Sequence, residues 1–449
     1  MVRQNHQYLS NIYKGLLRTI LYTQSHYIMK TILLQQVIIL DNQSKHHGTK
    51  VDVLIVDGII SEISKKISTS KNDTEIINGK GQFLSIGFFD LNVNFGEPGL
   101  ETKEDIESGC LAAAAGGITG LALMPNTNPP ISSKAELSYI LNTAKNNLVD
   151  VFPVGTISCK REGKDLAELF DMQQNGAVAY SDGNRPVGNA GLMSRALLYA
   201  KGFNGLIFSY AEDADLAANG KMNEGVMSTL LGMKGNPALA EELMIARDIY
   251  LAEYNETRIH FSTVSTKESV KLIRQARKKG IQITCDVAAH HLIFSEENLD
   301  GFDSQYKVKP PLRNKSDMKA LLDGLSDGTI DAIVSQHTPH EIEFKNVEFE
   351  IAEFGIIGLQ TLLSISLKAG LSPEQIVEKL AVNPRKILNL HIPLVQQGEK
   401  ANLVLFDPEA NWDFNETSNK SKSKNSPLFG HSLKGKVTAV FNNDQFMLF

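Results

Sequence analysis

The sequence predicts an α/β protein: a (β/α)8 TIM-type barrel with a small β-sandwich domain built from both chain ends. Three observations lead there. Between residues 87 and 392, strand-like apolar runs alternate with helical patterns in eight β-then-α units, which suits a closed parallel barrel better than an open sheet. Short strands and turns occupy 29–86 and return at 393–449. The length, 449 residues, exceeds one ordinary domain but suits a barrel plus an appendage.

The elements follow in order. Residues 1–28 contain Arg3, Lys14 and Arg18 and no acidic residue; they read as a transit-like leader or as an early start codon before Met29, outside the fold in either case. Thr31 to Leu40 is a strand. Val51 to Val56 turns at Asp57-Gly58 into Ile59 to Ile63, a strong hairpin signal, and the unit reads as antiparallel. Phe83 to Phe89 is a buried strand opening the barrel. Glu104 to Gly116, Ser133 to Asn146 and Leu166 to Gln174 read as helices. They separate the strands Gly120–Pro125, Asp150–Val154 and Ala177–Tyr180. Leu206–Tyr210, Arg258–Phe261, Ile281–Cys285 and Ile330–Val334 continue the strand series. Pro373 to Leu380 is a helix, Leu403–Phe406 and Val437–Phe441 are strands, and the polar stretch Asn415 to Ser426 is a loop.

Composition excludes several classes. The apolar fraction is 42% and the net charge −6, with no basic block, so a nucleic-acid surface is not expected. No apolar run approaches the ~20 residues of a membrane span, and a cytoplasmic protein is expected. The three cysteines, Cys110, Cys159 and Cys285, have no paired spacing and point to a reducing compartment. No Ser or Cys lies in a G-x-S-x-G turn, and no G-x-G-x-x-G follows a strand. On the first barrel strand, Asn92 and Asn94 are two residues apart, so both face the barrel mouth.

Several ordered motifs make the chain from Met29 onward resemble a dihydroorotase of the cyclic amidohydrolase superfamily. Asp90 to Gly99 (D-L-N-V-N-F-G-E-P-G) is similar to the family's D-L-H-V-H-L-R-E-P-G. The segments Met124 to Pro129, Lys309 to Arg313, Asp327 to Asp331 and Phe354 to Leu359 add to the likeness. The resemblance implies opening or closing of a six-membered cyclic amide. In the family, zinc supplies an activated water and a polarised carbonyl, an aspartate moves the proton, and an arginine with an asparagine clamps a carboxylate.

Carried over position by position, the resemblance puts the family's metal ligands on Asn92, Asn94, Tyr210 and Thr263. Its ligand and general-base aspartate falls on Gln336, and its carboxylate-binding arginine on Gly96. Asp182, in Ser181-Asp182-Gly183-Asn184, keeps one aspartate of the family's S-D-D-G, with its register open. Amides are poor zinc ligands beside imidazole, and Gln336 cannot accept a proton. The expectation is that no catalytic set is intact and that no zinc, or at most a weak oxygen-ligated cation, is held. Asn92, Asn94, Thr263 and Gln336 are expected to bond one another and fill the pocket.

Asn126 and His340 keep the family's substrate-binding positions, either for a ligand or to hold loops. Lys309 replaces an asparagine at another substrate contact. His260, His290, His291 and His337 are expected behind the site or in the core, with His290 and His291 on opposite faces of a strand. The resemblance implies a non-catalytic partner or scaffold of aspartate carbamoyltransferase in pyrimidine synthesis. An active cyclic amidohydrolase with an atypical metal site stays open, as do a sensor of dihydroorotate or carbamoyl aspartate and assembly as a homo-oligomer.

Overall fold

A computed structural model describes residues 27–28, 31–68 and 74–449. The leader question falls on residues 1–26, outside the described residues. The described chain begins with β1 (Tyr27–Ile28), followed by β2 (Thr31–Leu40), β3 (Lys50–Val56), β4 (Ile59–Ser64), β5 (Glu75–Asn78) and β6 (Phe83–Ile86). β1 pairs antiparallel with the last strand, Tyr27 opposite Phe446, so the sheet takes in two residues that the sequence placed outside the fold. Asp57 and Gly58 both adopt positive φ, as a two-residue hairpin between β3 and β4 requires.

The barrel strands are β7 (Phe88–Val93), β8 (Ile118–Leu123), β9 (Asp150–Gly155), β10 (Ala179–Tyr180) and β11 (Ile207–Ser209). After a short parallel ribbon of β12 (Met222–Asn223) and β13 (Gly235–Asn236) come β14 (Ile259–Phe261), β15 (Ile283–Ala288) and β16 (Ala332–Val334). These eight barrel strands, β7 to β11 and β14 to β16, pair in parallel in chain order. The first and last nearly close the ring: Val93 bridges His337, and the Asn94 amide donates to the His337 carbonyl at 2.8 Å. Small and large apolar side chains from successive strands, among them Phe89, Ala122, Val154, Phe208 and Val334, form one buried cluster. That is the packed interior expected of a barrel rather than a pore.

β17 (Leu403–Phe414), β18 (His431–Asn442) and β19 (Gln445–Leu448) return to the first sheet, where β17 pairs with β6. The appendage is therefore one nine-stranded sheet from both ends of the chain. It is not wholly antiparallel, as the hairpin signal suggested: β2 runs parallel to both β5 and β6. Residues 415–426 form the loop between β17 and β18, without helix or strand.

The helices form where capping residues precede apolar periodicity. Helix Ile106–Ala115 starts at Asp105, whose carboxylate accepts from the Ser108 amide at 2.7 Å, and helix Lys134–Thr143 starts at Ser133 with Glu136 completing a capping box. The expected helix from Pro373 is α-helical only to Val377. It continues as a wider π-type turn, Glu378–Val382, into Asn383–Ile387. There Arg385 reaches under the barrel and donates to the Gly87 carbonyl at 2.7 Å.

Candidate active site

The C-terminal ends of the barrel strands enclose a cavity of about 50 Å³ whose walls include Asn92, Asn94, Asn126, Tyr210, Lys309 and Gln336. The period-two reading of the first barrel strand thus places both asparagines correctly. The cavity is narrow against the roughly 300–1,000 Å³ of ordinary small-molecule sites, and matches one or two waters.

Each wall residue is held by a neighbour. The Asn92 amide nitrogen donates to Ser262 Oγ at 3.2 Å. That of Asn94 donates to the His337 carbonyl and to Thr338 Oγ1, both at 3.0 Å, while its Oδ1 accepts from Asn126 Nδ2. Gln336, at φ 51°, donates to the Lys309 carbonyl at 2.8 Å. The expected mutual network of Asn92, Asn94, Thr263 and Gln336 does not form. Their partners are other residues: Asn92, for one, reaches Ser262 at the end of β14, a strand that is not its neighbour in the barrel.

Thr263 is the clearest departure. Its hydroxyl donates to Asp286 Oδ1 at 2.7 Å, and the neighbouring Ser262 takes the cavity wall instead. Asp286 also contacts His260 Nε2 at 3.0 Å, and His260 Nδ1 meets Thr284 Oγ1 at 2.8 Å, so His260 lies behind the site, as expected. Tyr210 donates to Glu212 at 3.2 Å. Burial first, and then the Glu212 charge, push its phenol well above the usual range, so it stays neutral. Glu212 also accepts from Asn236 at 2.9 Å and pairs with Lys309 Nζ at 2.8 Å. Lys309 is thereby occupied by a carboxylate of this chain, with its ammonium 5.6 Å from the Tyr210 ring centre.

Two glycines settle what the motif left open. Asp182 turns away from the cavity: its Oδ1 accepts from the amides of Ile157 at 2.9 Å and Ser158 at 3.0 Å, and its Oδ2 from Ser158 Oγ. Burial raises its pKa, against those lowering bonds. The residue on the wall is Gly183, and a Cβ there would overlap Asn126 Oδ1. Asp182 is therefore not placed as a cavity carboxylate. At Gly96 a Cβ would overlap the Leu100 carbonyl oxygen, so the backbone has closed where the family pattern carries an arginine.

His340 is bonded to loop residues. Its amide donates to Asn425 Oδ1 at 3.0 Å, its Nε2 lies 3.0 Å from the Phe354 carbonyl, and its Nδ1 lies 3.3 Å from Lys103 Nζ. Burial, and then the Lys103 charge, hold its pKa down to about 4. Neutral His340 with the proton on Nε2 satisfies both contacts. His290 and His291 lie on a single 3-10 turn, Ala289–Leu292, and not on a strand. Their rings are neighbours 4.6 Å apart, which corrects the opposite-face expectation. His337 is buried 3.5 Å from Glu104.

Sequence reasoning missed three buried groups. Asp90, one turn of the pleat below Asn92, accepts from the Asn92 and Ser335 amides, both at 3.0 Å, yet burial pushes it up to about 7. Lys307 and Lys345 are enclosed under the segment 346–356. The Asp90-to-Asn94 spacing could have flagged the first; nothing local flags the lysines.

A zinc ion needs several imidazole, thiolate or carboxylate donors. Among the described residues no group of three or more His, Cys, Asp or Glu is placed to hold a metal. The donor set on the cavity wall does not fit the zinc that this family generally uses.

Comparison with known proteins agrees with the fold and motifs. A family model described as dihydro-orotase-like matches residues 81–269, and an amidohydrolase family model matches 219–447. The chain is 42% identical over 405 residues to a dihydroorotase of Acetivibrio thermocellus, covering 89% of this chain and 94% of that one. It is 44% identical over 397 residues to a dihydroorotase of Geotalea daltonii, covering 87% and 93%. Among solved structures, an L-hydantoinase (dihydropyrimidinase) from Arthrobacter aurescens superposes with a TM-score of 0.79 at 23% identity, over 92% of this chain and 95% of that one. Barrel, sheet domain and near full-length identity together place this chain in the dihydroorotase family of the amidohydrolase superfamily.

Proposed function

We propose that this protein is a dihydroorotase homologue that no longer performs zinc-dependent hydrolysis and acts in pyrimidine synthesis as a partner or scaffold of aspartate carbamoyltransferase. The observation that carries the reading is the cavity wall itself. Asn92, Asn94, Tyr210 and Gln336 line a space of about 50 Å³, and Thr263 is turned to Asp286. A neutral glutamine stands where a proton acceptor is needed, and an amide oxygen is a poor substitute for imidazole on zinc. A barrel retained without its chemistry is suited to association, and the partner role is the one the family resemblance implies.

A second reading, an active cyclic amidohydrolase interconverting carbamoyl aspartate and dihydroorotate through an atypical metal arrangement, draws on the relatives. The two bacterial proteins named above, both called dihydroorotase, share 42–44% identity with nearly the whole chain. The two readings part on one experiment with the full chain. Dihydroorotate turnover is assayed with and without a chelator, alongside affinity purification from cells with carbamoyltransferase activity measured in the eluate. Chelator-insensitive absence of turnover with co-eluting carbamoyltransferase activity is the expected result. Turnover abolished by chelation would establish the second reading.

A further inference from the structure

Beside the narrow cavity lies a second one, of about 210 Å³, separated from it by Asn184, Lys309 and Phe354. Its walls come from the loop after β10, the segment between β11 and β13, and Lys309. Three cations reach it: Arg185, Lys221 and Lys309. One carboxylate, Glu212, lines it too, but Glu212 is already paired with Lys309 at 2.8 Å. Arg185 is exposed; its guanidinium makes one hydrogen bond, to the Arg161 carbonyl at 3.5 Å, and among the described residues no ion pair. Among the described residues Lys221 Nζ has no hydrogen bond or ion pair, and its charged neighbour is another cation, Lys307.

The cavity thus carries two positive charges that no carboxylate among the described residues pairs with. In a concave, partly low-dielectric wall such charges attract anions more strongly than the same residues on an open surface. Asn236 marks a place for a hydrogen-bond donor, such as a water beside the anion, because its free atom is an acceptor. It is 4% exposed, lines the cavity, and leaves Oδ1 without a hydrogen-bond partner. Buried polar atoms are normally paired by protein, water or ligand. The wall is also rigid. Arg313 donates to Asn223 Oδ1 at 2.8 Å and to the Asn236 carbonyl at 2.9 Å, fixing the ribbon of β12 and β13 to the barrel.

We propose that this second cavity is a binding site for a small dicarboxylate, one carboxylate taken by the Arg185 guanidinium and the other by the Lys221 ammonium. Arginine offers a planar fork that matches a carboxylate, and lysine a compact point charge. A monocarboxylate would leave one cation uncompensated. The site lies outside the positions that the resemblance assigns to the metal, so it stands or falls independently of the barrel's catalytic state.

Isothermal titration of the full-length protein at fixed ionic strength, with succinate and with butyrate, tests it. The expected result is saturable 1:1 succinate binding with a dissociation constant below about 1 mM, and butyrate weaker by at least about tenfold. The R185Q/K221Q double variant, whose side chains make no ion pair, keeps the fold and loses at least about tenfold in succinate affinity. A succinate-dependent rise in thermal midpoint in the parent protein, absent from the double variant, is expected as a second readout. No saturable succinate binding, equal affinity for butyrate, or an unchanged double variant would overturn the proposal.

Discussion

The positions that decide this molecule are small. Gly96 and Gly183 have no side chain, and the Leu100 carbonyl and Asn126 occupy the space one would take. Neither loss is undone by restoring a residue. G96A already forces a Cβ against the Leu100 carbonyl, so a loss of about 2 kcal/mol of stability is expected, read by chemical denaturation. Asp90 gives a pH signature. Its folded pKa is about 7, raised by burial from 3.8, so between those values the folded chain binds more protons than the unfolded one. Stability from this group is full below about pH 4 and falls as pH rises to about 7, by up to about 4 kcal/mol. D90N should flatten that fall while lowering stability overall, since its amide nitrogen meets one of the two backbone N–H groups that Asp90 accepts; an unchanged slope in urea melts between pH 5 and 8 would remove Asp90 as its source. Residue-scale reading from the sequence was uneven. On β7 the period of two placed Asn92 on the cavity wall, and Asn94, the first residue past the strand, follows it there. Beyond strand ends no period applies, which is why Asp182 turned out to face away, Ser262 to take the wall from Thr263, and His290 to lie beside His291.

At the scale of elements, the segment 346–356 owes its course to two buried ammonium groups. Lys307 Nζ donates to the carbonyls of Phe349 at 2.7 Å, Glu350 at 3.0 Å and Ala352 at 2.5 Å. Lys345 Nζ donates to those of Glu353 at 2.9 Å and Gly355 at 3.1 Å. Phe354, Gly355 and Ile356 from the same segment cap the narrow cavity. Burial lowers the two lysines to about 8 and about 7, yet these five carbonyls, with that of Lys307 at 3.5 Å from Lys345 Nζ, need the donors. K345M should therefore leave two carbonyls unpaired and cost on the order of 3 kcal/mol. It should also open 346–356 to limited proteolysis while the barrel core stays resistant. Cleavage at the parental rate would mean that the segment is held by something else. The sequence made the strands and capped helices legible, since apolar alternation and residues such as Asp105 and Ser133 act locally. It did not make legible the parallel pairing of β2 with β5 and β6, or the lysine clamp. Both depend on partners far along the chain.

At the scale of the whole molecule, the scaffold of the family is retained. The barrel interior, its near closure through Asn94 and His337, and the sheet shared by both chain ends are all retained. The side chains at its mouth are amides, hydroxyls and one ion pair internal to the chain. They enclose a space of about 50 Å³. If the frame is as intact as its packing implies, N92H, N94H, Y210H, T263H and Q336D together should recruit zinc, measured by elemental analysis after gel filtration. A revertant that stays metal-free would count against the position-by-position correspondence. The most direct test is on the unaltered protein: its zinc content after purification with zinc in every buffer, together with its turnover of dihydroorotate. Far less than one zinc per chain and no turnover above the uncatalysed rate are expected. One or two zinc ions per chain, with turnover lost on chelation, would contradict it.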